Sequence, residues 1–518
     1  MNRVIPALAL VCIALPACSG INLTGNAEGD GGVDADAPRP DGIGPDGGAD
    51  DDSGGEGLDA GEEDAADGRE DDGEDAAGDA ADPPEAAVLP AVCGDGVVDP
   101  GEECDDGDRR DDACRWDCRL GGDEFEYPPP DPAAPRIAPS GPPVAITDDS
   151  EVSLRVSSGF FRDCHPLGLA ANGGRFAVAY PADQPYEAVR VRFLDRDGRT
   201  IAGPWEHETP WGLPSLAFFA TGEGYGMLAG SYVYGIQRSR FASDGAALEE
   251  FLTLRSHEES PIPLADMVGG AATSGRWLAV SSRFVLDWQG WRFEAFTDAG
   301  APAGSLVLSF DEATECVSAV PAGDGFAVGD GTQVVVLDAD LRVASWSGAL
   351  MHDVAAGVMC EAPGGFWTAW QSRPVSPDPP FVRNVWVASV DPNGAPRFPA
   401  RQILTHVPRA ITPDGDSMGP TAAPAIALAA GPAGVALVWW EGVGDDETPG
   451  GPVMLLTLDP WGNVVTPATP VLAEGEITTM GWVLAAAADD LGYAVVTAVQ
   501  GEVLGTAHLV FRHFAVTP

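Results

Sequence analysis

Residues 173–180 read GGRFAVAY, and residues 194–198, one apolar segment later, read LDRDG. A glycine turn that leads into an aromatic residue and an apolar run predicts a buried β-strand. The Asp-Gly pair supplies the positive φ that a tight hairpin turn requires. Together the two segments predict neighbouring strands of one antiparallel sheet.

The first of these patterns recurs six times downstream. The recurrences are GEGYGMLAG at 222–230, SGRWLAVSS at 274–282, GDGFAVGD at 323–330, PGGFWTAW at 363–370, PAGVALVWW at 432–440 and DLGYAVVTA at 490–498. The turn recurs as FASDG at 241–245, FTDAG at 296–300, LDADL at 337–341, VDPNG at 390–394 and LDPWGN at 458–463. The first aromatic or aliphatic positions of successive units are 40 to 69 residues apart.

Units of several short strands at this spacing, with no helical period between them, are typical of propeller blades. We therefore predict an all-β chain with a seven-bladed β-propeller over residues 144–518. Six or eight blades are the alternatives, because the fifth and sixth units contain long insertions. The seventh unit stops before a turn, so we expect the alternating segment EVSLRV at 151–156 to complete the last blade and remove an exposed sheet edge.

The amino end has the features of an export signal. Arg3 precedes an apolar run from residue 4 to 15, which is too short to span a bilayer, and residues 15–18 read LPAC. This ending resembles the bacterial lipobox, and the resemblance implies cleavage after residue 17 and lipidation of Cys18. Ser19 then favours the outer membrane. An ordinary signal peptide with an incidental cysteine is the alternative.

Charge distinguishes the segment that follows. The chain has 28 basic residues, all of them arginine, against 80 acidic ones, for a net charge of −52, and residues 19–92 alone hold 23 acidic side chains and two arginines. This composition predicts a disordered acidic tether over 18–92. The charge argues against nucleic acid or anionic lipid as a partner, and the missing lysines exclude lysine-dependent catalysis.

A small cysteine module follows at 93–120, with Cys93, Cys104, Cys114 and Cys118. In an exported chain we expect disulfides rather than zinc, because paired CxxC knuckles are absent, and four cysteines leave three pairings open. The segment resembles the cysteine-rich repeat of myxobacterial surface proteins, which implies an extracellular spacer or adhesion element. A Pro-rich linker over 121–143 completes this part of the chain.

Four aspartates lie beside these cysteines: Asp95, Asp105, Asp106 and Asp108. They are candidate calcium ligands, and solvated turn-forming side chains are the alternative. We predict no other cofactor. Within the propeller, Cys316 and Cys360 each precede a central strand in neighbouring units, so a bridge between adjacent blades is a further hypothesis, which leaves Cys164 unpaired.

Other candidate chemistry has a structural interpretation. Residues 415–419 read GDSMG, but the prolines around them argue against a nucleophile elbow. Asp195, Asp197, Asp338 and Asp340 are more readily hairpin residues than calcium ligands. Residues 421–440 lack charge, yet their prolines and glycines favour a pair of buried strands over a membrane span. Aromatic residues near strand ends could stack on a sugar, although blade packing is favoured for all four: Trp205, Trp211, Trp288 and Trp291.

The propeller half is similar to the divergent propellers of exported myxobacterial proteins, a likeness that implies a fold rather than an activity. We expect a cell-surface or outer-membrane lipoprotein whose head is a non-enzymatic binding module for a protein or carbohydrate. The alternative is an exported hydrolase or lyase that acts on polysaccharide. We assign no catalytic residues, since sialidase Asp boxes and a lysine-bearing quinone-cofactor motif are absent, and we expect membrane contact through the lipid alone.

Overall fold

The computed structural model of the protein describes residues 128–148, 152–153, 167–182, 188–208, 215–231, 235–256, 267–285, 288–309, 317–331, 333–347, 350, 354–372, 382–408, 426–441, 451–473, 478, 483–500 and 506–517. The predicted signal peptide, tether and cysteine module, with Cys18 and the candidate calcium ligands, lie outside these residues. So do Cys164, Cys316 and residues 415–419.

The strands follow one another in groups of four. After three short strands, β1 (Arg136–Pro139), β2 (Val144–Ala145) and β3 (Val152–Ser153), the first three groups are β4 (Gly168–Asn172), β5 (Arg175–Ala182), β6 (Ala188–Asp195), β7 (Thr200–Glu208); β8 (Ser215–Thr221), β9 (Gly224–Ser231), β10 (Gly235–Ala242), β11 (Ala247–Arg255); and β12 (Met267–Thr273), β13 (Arg276–Val285), β14 (Trp288–Thr297), β15 (Pro302–Ser309).

Three further groups of four and a last group of three complete the order. They are β16 (Ser318–Ala322), β17 (Gly325–Gly329), β18 (Val334–Leu337), β19 (Val343–Trp346); β20 (Val354–Ala362), β21 (Gly365–Ser372), β22 (Val382–Val390), β23 (Arg401–Pro408); β24 (Ile426–Gly431), β25 (Gly434–Trp440), β26 (Val453–Leu458), β27 (Val464–Pro470); and β28 (Leu484–Ala488), β29 (Gly492–Gln500), β30 (Thr506–Thr517).

Each group of four is one antiparallel sheet with its strands in sequence order, and these sheets are blades 1 to 6. Blade 7 consists of β28, β29 and β30, with β1, β2 and β3 along the free edge of β30. The first strand of every blade contacts the first strand of the next, and β28 contacts β4, so the blades form a closed ring. The predicted seven-bladed β-propeller is confirmed.

The apolar core is divided among the blade boundaries. Seven hydrophobic clusters occur in the described part of the chain, and each combines side chains of two adjacent blades. The aromatic or aliphatic position of the repeat lies in these clusters and is 3% exposed or less in all seven units: Phe176, Tyr225, Trp277, Phe326, Phe366, Val435 and Tyr493. The repeat is therefore a packing motif that fills the space between sheets.

A glycine is required immediately before that position for a steric reason. In five units a Cβ on this glycine would lie 1.9 to 2.1 Å from a carbonyl oxygen of the third strand: Gly224, Gly325, Gly365, Gly434 and Gly492. No side chain fits at such a distance. The close approach brings the second and third strands together where the buried aromatic residue begins.

The edge that completes blade 7 begins earlier in the chain than expected. β3 pairs with β30 as expected, with Val152 opposite Ala507. However, β1 also pairs with β30, and Arg136 lies opposite Thr517, so the sheet begins inside the segment assigned to the linker at 121–143. Proline obscured this strand in the sequence. Pro139 is tolerated because β1 is an edge strand, where a missing N–H donor interrupts no ladder.

The uncharged segment at 421–440 contains the hairpin of β24 and β25, and side chains such as Val438 and Trp440 are buried. The two strands pair in register from Ile426 opposite Trp439 to Gly431 opposite Gly434. This confirms the prediction of buried strands. No helix long and apolar enough to cross a membrane occurs in the residues that the structure describes.

The turn after the third strand is stabilised by its first aspartate. In blades 1, 4, 5 and 6, one carboxylate oxygen accepts hydrogen bonds from the backbone N–H groups two and four residues later: Asp195, Asp338, Asp391 and Asp459. This arrangement confirms the turn interpretation of Asp195 and Asp338. In blade 4 the usual glycine is replaced by Leu341 at a φ of +60°, and its side chain is buried in the core.

We predict that Asp391→Ala lowers the free energy of unfolding by about 1 kcal/mol, because the N–H groups of Asn393 and Ala395 lose their acceptor. Asp391→Asn is the matched control, since its amide oxygen can accept both bonds. Urea unfolding monitored by tryptophan fluorescence measures the difference. Equal unfolding midpoints for the two variants would contradict the role assigned to this side chain.

Candidate functional site

The strands nearest the propeller axis are almost without charge. β4, β8, β12, β16, β20, β24 and β28 carry a single ionisable carboxylate, Glu361, and burial raises its pKa above the ordinary value. Glycosidases use two carboxylates on either side of the scissile bond. These innermost strands therefore offer no such pair, which counts against a polysaccharide-cleaving site built on them.

The aspartates in the turns after the third strands of the blades make structural contacts. Asp195 and Asp338 bind backbone N–H groups of their own turns, while Asp197 and Asp340 lie near Arg199 and Arg276 at 3.5 and 3.7 Å. No group of metal-ligating side chains occurs among the described residues. For these aspartates, the turn interpretation is the one that the contacts support.

Arginines near these turns join neighbouring blades. Arg238 of β10 is fully buried, holds both carboxylate oxygens of Glu249 at 2.7 and 2.8 Å, and reaches into the next blade, where it donates to the carbonyl oxygens of Thr297 and Asp298. Its guanidinium also lies 4.7 Å from the ring centroid of Trp277. Five donors in a rigid fork suit this task better than a lysine ammonium would.

A cleft of about 320 Å³ opens in the outer wall between blades 2 and 3. Its polar groups come from strands of both blades, because β11 contributes Arg255, β14 contributes Arg292 and Glu294, and β15 contributes Ser305. Leu254 and Phe296 supply apolar surface. The volume lies at the lower end of the range of about 300–1,000 Å³ that small-molecule sites occupy.

One carboxylate in this cleft faces two guanidinium groups. Glu294 pairs with Arg255 across the blade boundary and with Arg292 at 3.2 Å. The side chains of Arg255 and Glu294 are 9% and 10% exposed, whereas that of Arg292 is 31% exposed. Arg292 Nε is buried and has no hydrogen-bond partner in the described part of the chain. The three groups sum to one positive charge in a strongly acidic protein, so the cleft is suited to an anionic group.

The predicted blade packing is confirmed for Trp205 and Trp291, the two of these tryptophans whose side chains the structure describes. Trp205 packs against Phe251 and Phe241 of blade 2 at 4.8 and 5.0 Å, and Trp291 is fully buried. Blade packing is therefore their role. Trp211 and the side chain of Trp288 lie outside the described residues.

His207 lies in the same aromatic group, with its ring 3.5 Å from that of Phe251. Burial lowers the pKa of His207 to about 4, although a hydrogen bond with Gln237 acts in the opposite direction. The imidazole is therefore neutral at physiological pH. Since its folded pKa lies below its ordinary value, its contribution makes the protein more stable as the pH rises from about 4 to 6.5.

Cys360 has no disulfide partner among the residues that the structure describes, and burial together with the charge of Glu361 raises the pKa of its thiol to about 12. A thiol held neutral in this way is a poor nucleophile. Cys316 lies outside the described residues, so the bridge between the two stays a prediction.

The cleft has no contiguous signature in the sequence, because its residues come from two blades. A local sign was present in WRFEAF at 291–296, where Arg292 and Glu294 occupy alternate positions of a strand that is otherwise apolar. Alternate positions lie on the same face of a sheet. Two opposite charges inside a buried strand therefore indicate a polar boundary between blades. They do not identify Arg255 as the partner of Glu294.

No family model matches the chain, and neither does any curated protein. Similar solved structures include putative 6-phosphogluconolactonases from Bacteroides fragilis (13% identity, 60% of this chain, 85% of that chain, TM-score 0.33) and Bacteroides uniformis (12%, 59%, 85%, 0.36). The Pan2 WD40 domain of Neurospora crassa is similar at 11% identity, over 71% of this chain and 97% of that chain, with a TM-score of 0.35. At these values no activity or partner carries over.

We predict that Glu294→Gln lowers the free energy of unfolding by about 3 kcal/mol, because it leaves the buried Arg255 without a counter-charge. Glu223→Gln is the control. It breaks the pair with Arg240, in which the glutamate is 70% exposed, and should cost less than about 1 kcal/mol. Equal losses in chemical denaturation would show that the cleft pair is not an isolated buried charge pair.

Proposed function

We propose that this chain is a lipid-anchored surface protein whose propeller is a binding module. The lipobox-like ending at Cys18 supports the anchor, and the acidic segment at 18–92 supports a tether that holds the head away from the membrane. The cysteine module at 93–120 would act as a disulfide-stabilised spacer. The outer membrane or cell surface of a bacterium is the compartment that fits these segments.

We place the ligand in the cleft between blades 2 and 3. The observation that carries this assignment is the excess of guanidinium over carboxylate: Arg255 and Arg292 share the single carboxylate of Glu294. The ligand class is a sugar that carries one carboxylate, such as a uronic acid unit of a polysaccharide.

The three charged side chains of the cleft differ in exposure, and their proposed roles differ accordingly. Glu294 and Arg255 are buried by more than nine-tenths and hold each other, so they fix the base of the site. Arg292 is the more accessible cation, so a ligand carboxylate would pair with the exposed part of its guanidinium. The exposed Ser305 offers its hydroxyl as a further contact for a sugar.

We predict that Arg292→Gln weakens binding of galacturonic acid to the full chain at least tenfold, the loss expected from one charge-assisted hydrogen bond. Galactose, which lacks the carboxylate, should bind more weakly to the unaltered protein. Isothermal titration calorimetry measures both. Arg240→Gln is the control, because Arg240 pairs with Glu223 and lies outside the cleft lining. Equal affinity for the two sugars, or no effect of Arg292→Gln, would refute the assignment.

The anchor is tested separately. We predict that Cys18→Ser moves the protein from the membrane fraction to the soluble fraction of the expressing bacterium, because the thiol that would receive the lipid is removed. Cys12→Ser within the same leader is the matched control and should leave the protein in the membrane. Metabolic labelling with a clickable fatty acid should mark the unaltered chain. A Cys18→Ser protein that stays in the membrane would contradict lipidation at this residue.

A further inference from the structure

A serine and a histidine face each other where the ring closes. The N–H of Ser140, immediately after β1, donates to the carbonyl oxygen of His513 on β30 at 2.9 Å. The two residues are therefore neighbours across antiparallel segments of the chain. Their side chains also meet, with 2.6 Å between Ser140 Oγ and His513 Nδ1. This is the contact by which a histidine accepts the proton of a nucleophilic hydroxyl.

The second nitrogen of the same ring faces a carboxylate. His513 Nε2 lies 3.6 Å from Asp489 Oδ1, in the turn between β28 and β29. A carboxylate on this side favours the tautomer with its proton on Nε2, which leaves Nδ1 free to accept from the serine. The distance is longer than a hydrogen bond, and such contacts often tighten only when substrate or transition state is bound.

Asp489 is held in place by several donors. Its side chain is 1% exposed, its Oδ1 accepts from the N–H groups of Leu491 and Gly492 at 2.9 Å each, and its Oδ2 accepts from Arg196 Nε of blade 1. Burial alone would raise the pKa of Asp489, but the bonds from Arg196 and Leu491 and the charges of Arg196 and His513 lower it overall. The group is therefore an ionised, immobile partner for the imidazole.

The imidazole is neutral at physiological pH. Burial and the positive charge of Arg196 lower the pKa of His513, while Asp489 and Asp197 act in the opposite direction. A neutral ring beside a hydroxyl can act as a base. His513 is 6% exposed and lies 5.9 Å from the Phe176 ring, so its base nitrogen is shielded from water on the core side.

The serine itself is open to solvent. Ser140 is exposed, and the next residue, Gly141, has no atom within 4 Å of the position that a side chain would occupy. A substrate can therefore approach without displacing another part of the described structure. The open setting suits an acyl group that projects from a larger molecule more than a small ligand that needs a pocket.

From these contacts we propose that Ser140 is a nucleophile for the hydrolysis of small acyl esters, with His513 as its base and Asp489 as the positioning residue. The order Ser–His–Asp reproduces the roles of a catalytic triad, which recurs on unrelated folds. This activity goes beyond the binding function proposed for the cleft between blades 2 and 3, and the two stand on different blades.

The reaction balances without a cofactor. Ser140 Oγ attacks the ester carbonyl carbon, its proton passes to His513 Nδ1, and the bond from that carbon to the alcohol oxygen breaks as His513 returns the proton to the leaving alcohol. Water then attacks the acyl-serine with His513 as base, which releases the carboxylic acid and restores Ser140. Asp489 stabilises the transient imidazolium through its negative charge.

The experiment uses the full chain with p-nitrophenyl acetate as substrate and a biotinylated fluorophosphonate as covalent probe. We expect ester hydrolysis above the buffer rate and a single labelled peptide that contains Ser140. Ser140→Ala should abolish labelling and return hydrolysis to the buffer rate. His513→Gln should lower the labelling rate at least 100-fold, which is within the contribution of a general base.

A purely structural network is separated from a reactive one by two controls. Ser243→Ala alters a serine in the turn after β10 whose hydroxyl makes no hydrogen bond within the described part of the chain, so labelling should be unchanged. Thermal unfolding of each variant shows whether the ring is intact. No labelling of the unaltered chain, or equal labelling of Ser140→Ala, would overturn the proposal while leaving the cleft assignment untouched.

The pH profile gives an independent readout. The groups that face His513 are Asp489 of its own blade, Arg196 and Asp197 of blade 1, and Ser140. With them in place, labelling should stay constant at neutral pH and fall only below the ordinary histidine value of 6.5. A rate that instead rises continuously with hydroxide concentration would show that the serine reacts without this base and would refute the role of His513.

Discussion

A sheet whose central strands are apolar on both faces has to be covered on both faces, and the blades of this protein are such sheets. Strands such as β25, Gly434–Trp440, are buried almost from end to end rather than at alternate residues. Burying a strand of this kind needs a neighbour on each side, and the neighbour has the same need. A closed ring satisfies all seven sheets at once. The seven clusters at the blade boundaries are the result.

The sequence predicts those parts of the fold that repeat. Glycine, aromatic residue and apolar run recur because each unit meets the same two constraints, a close carbonyl approach at Gly224 and its equivalents and a buried ring between blades. The turn aspartates recur for a third local reason, because a carboxylate such as Asp391 satisfies two backbone donors. The number of blades follows from counting. Local constraints of this kind are visible in any single unit.

What the sequence does not predict is held between units. Arg255 meets Glu294 across a blade boundary, and Ser140 meets His513 across 373 residues of chain. Their neighbours in sequence give no sign of these partners, since register and ring closure bring them together. The edge strand β1 was hidden for a related reason. Its short, proline-bounded sequence has no strand period of its own, and only the unpaired edge of β30 gives it a place.

The closing edge also determines how the molecule would carry a load. Under the proposed anchoring of the amino end, a pull against a captured ligand would enter the propeller through the segment that leads into β1. The first of the described bonds under tension is the one that the Pro128 carbonyl oxygen accepts from Asn463 Nδ2, and the pair Arg136 and Thr517, at the end of β1, follows. On its other side, β30 remains paired with β29 from Ala507 to Ala515. A force that strips the edge strand would thus release more chain before it opens the ring.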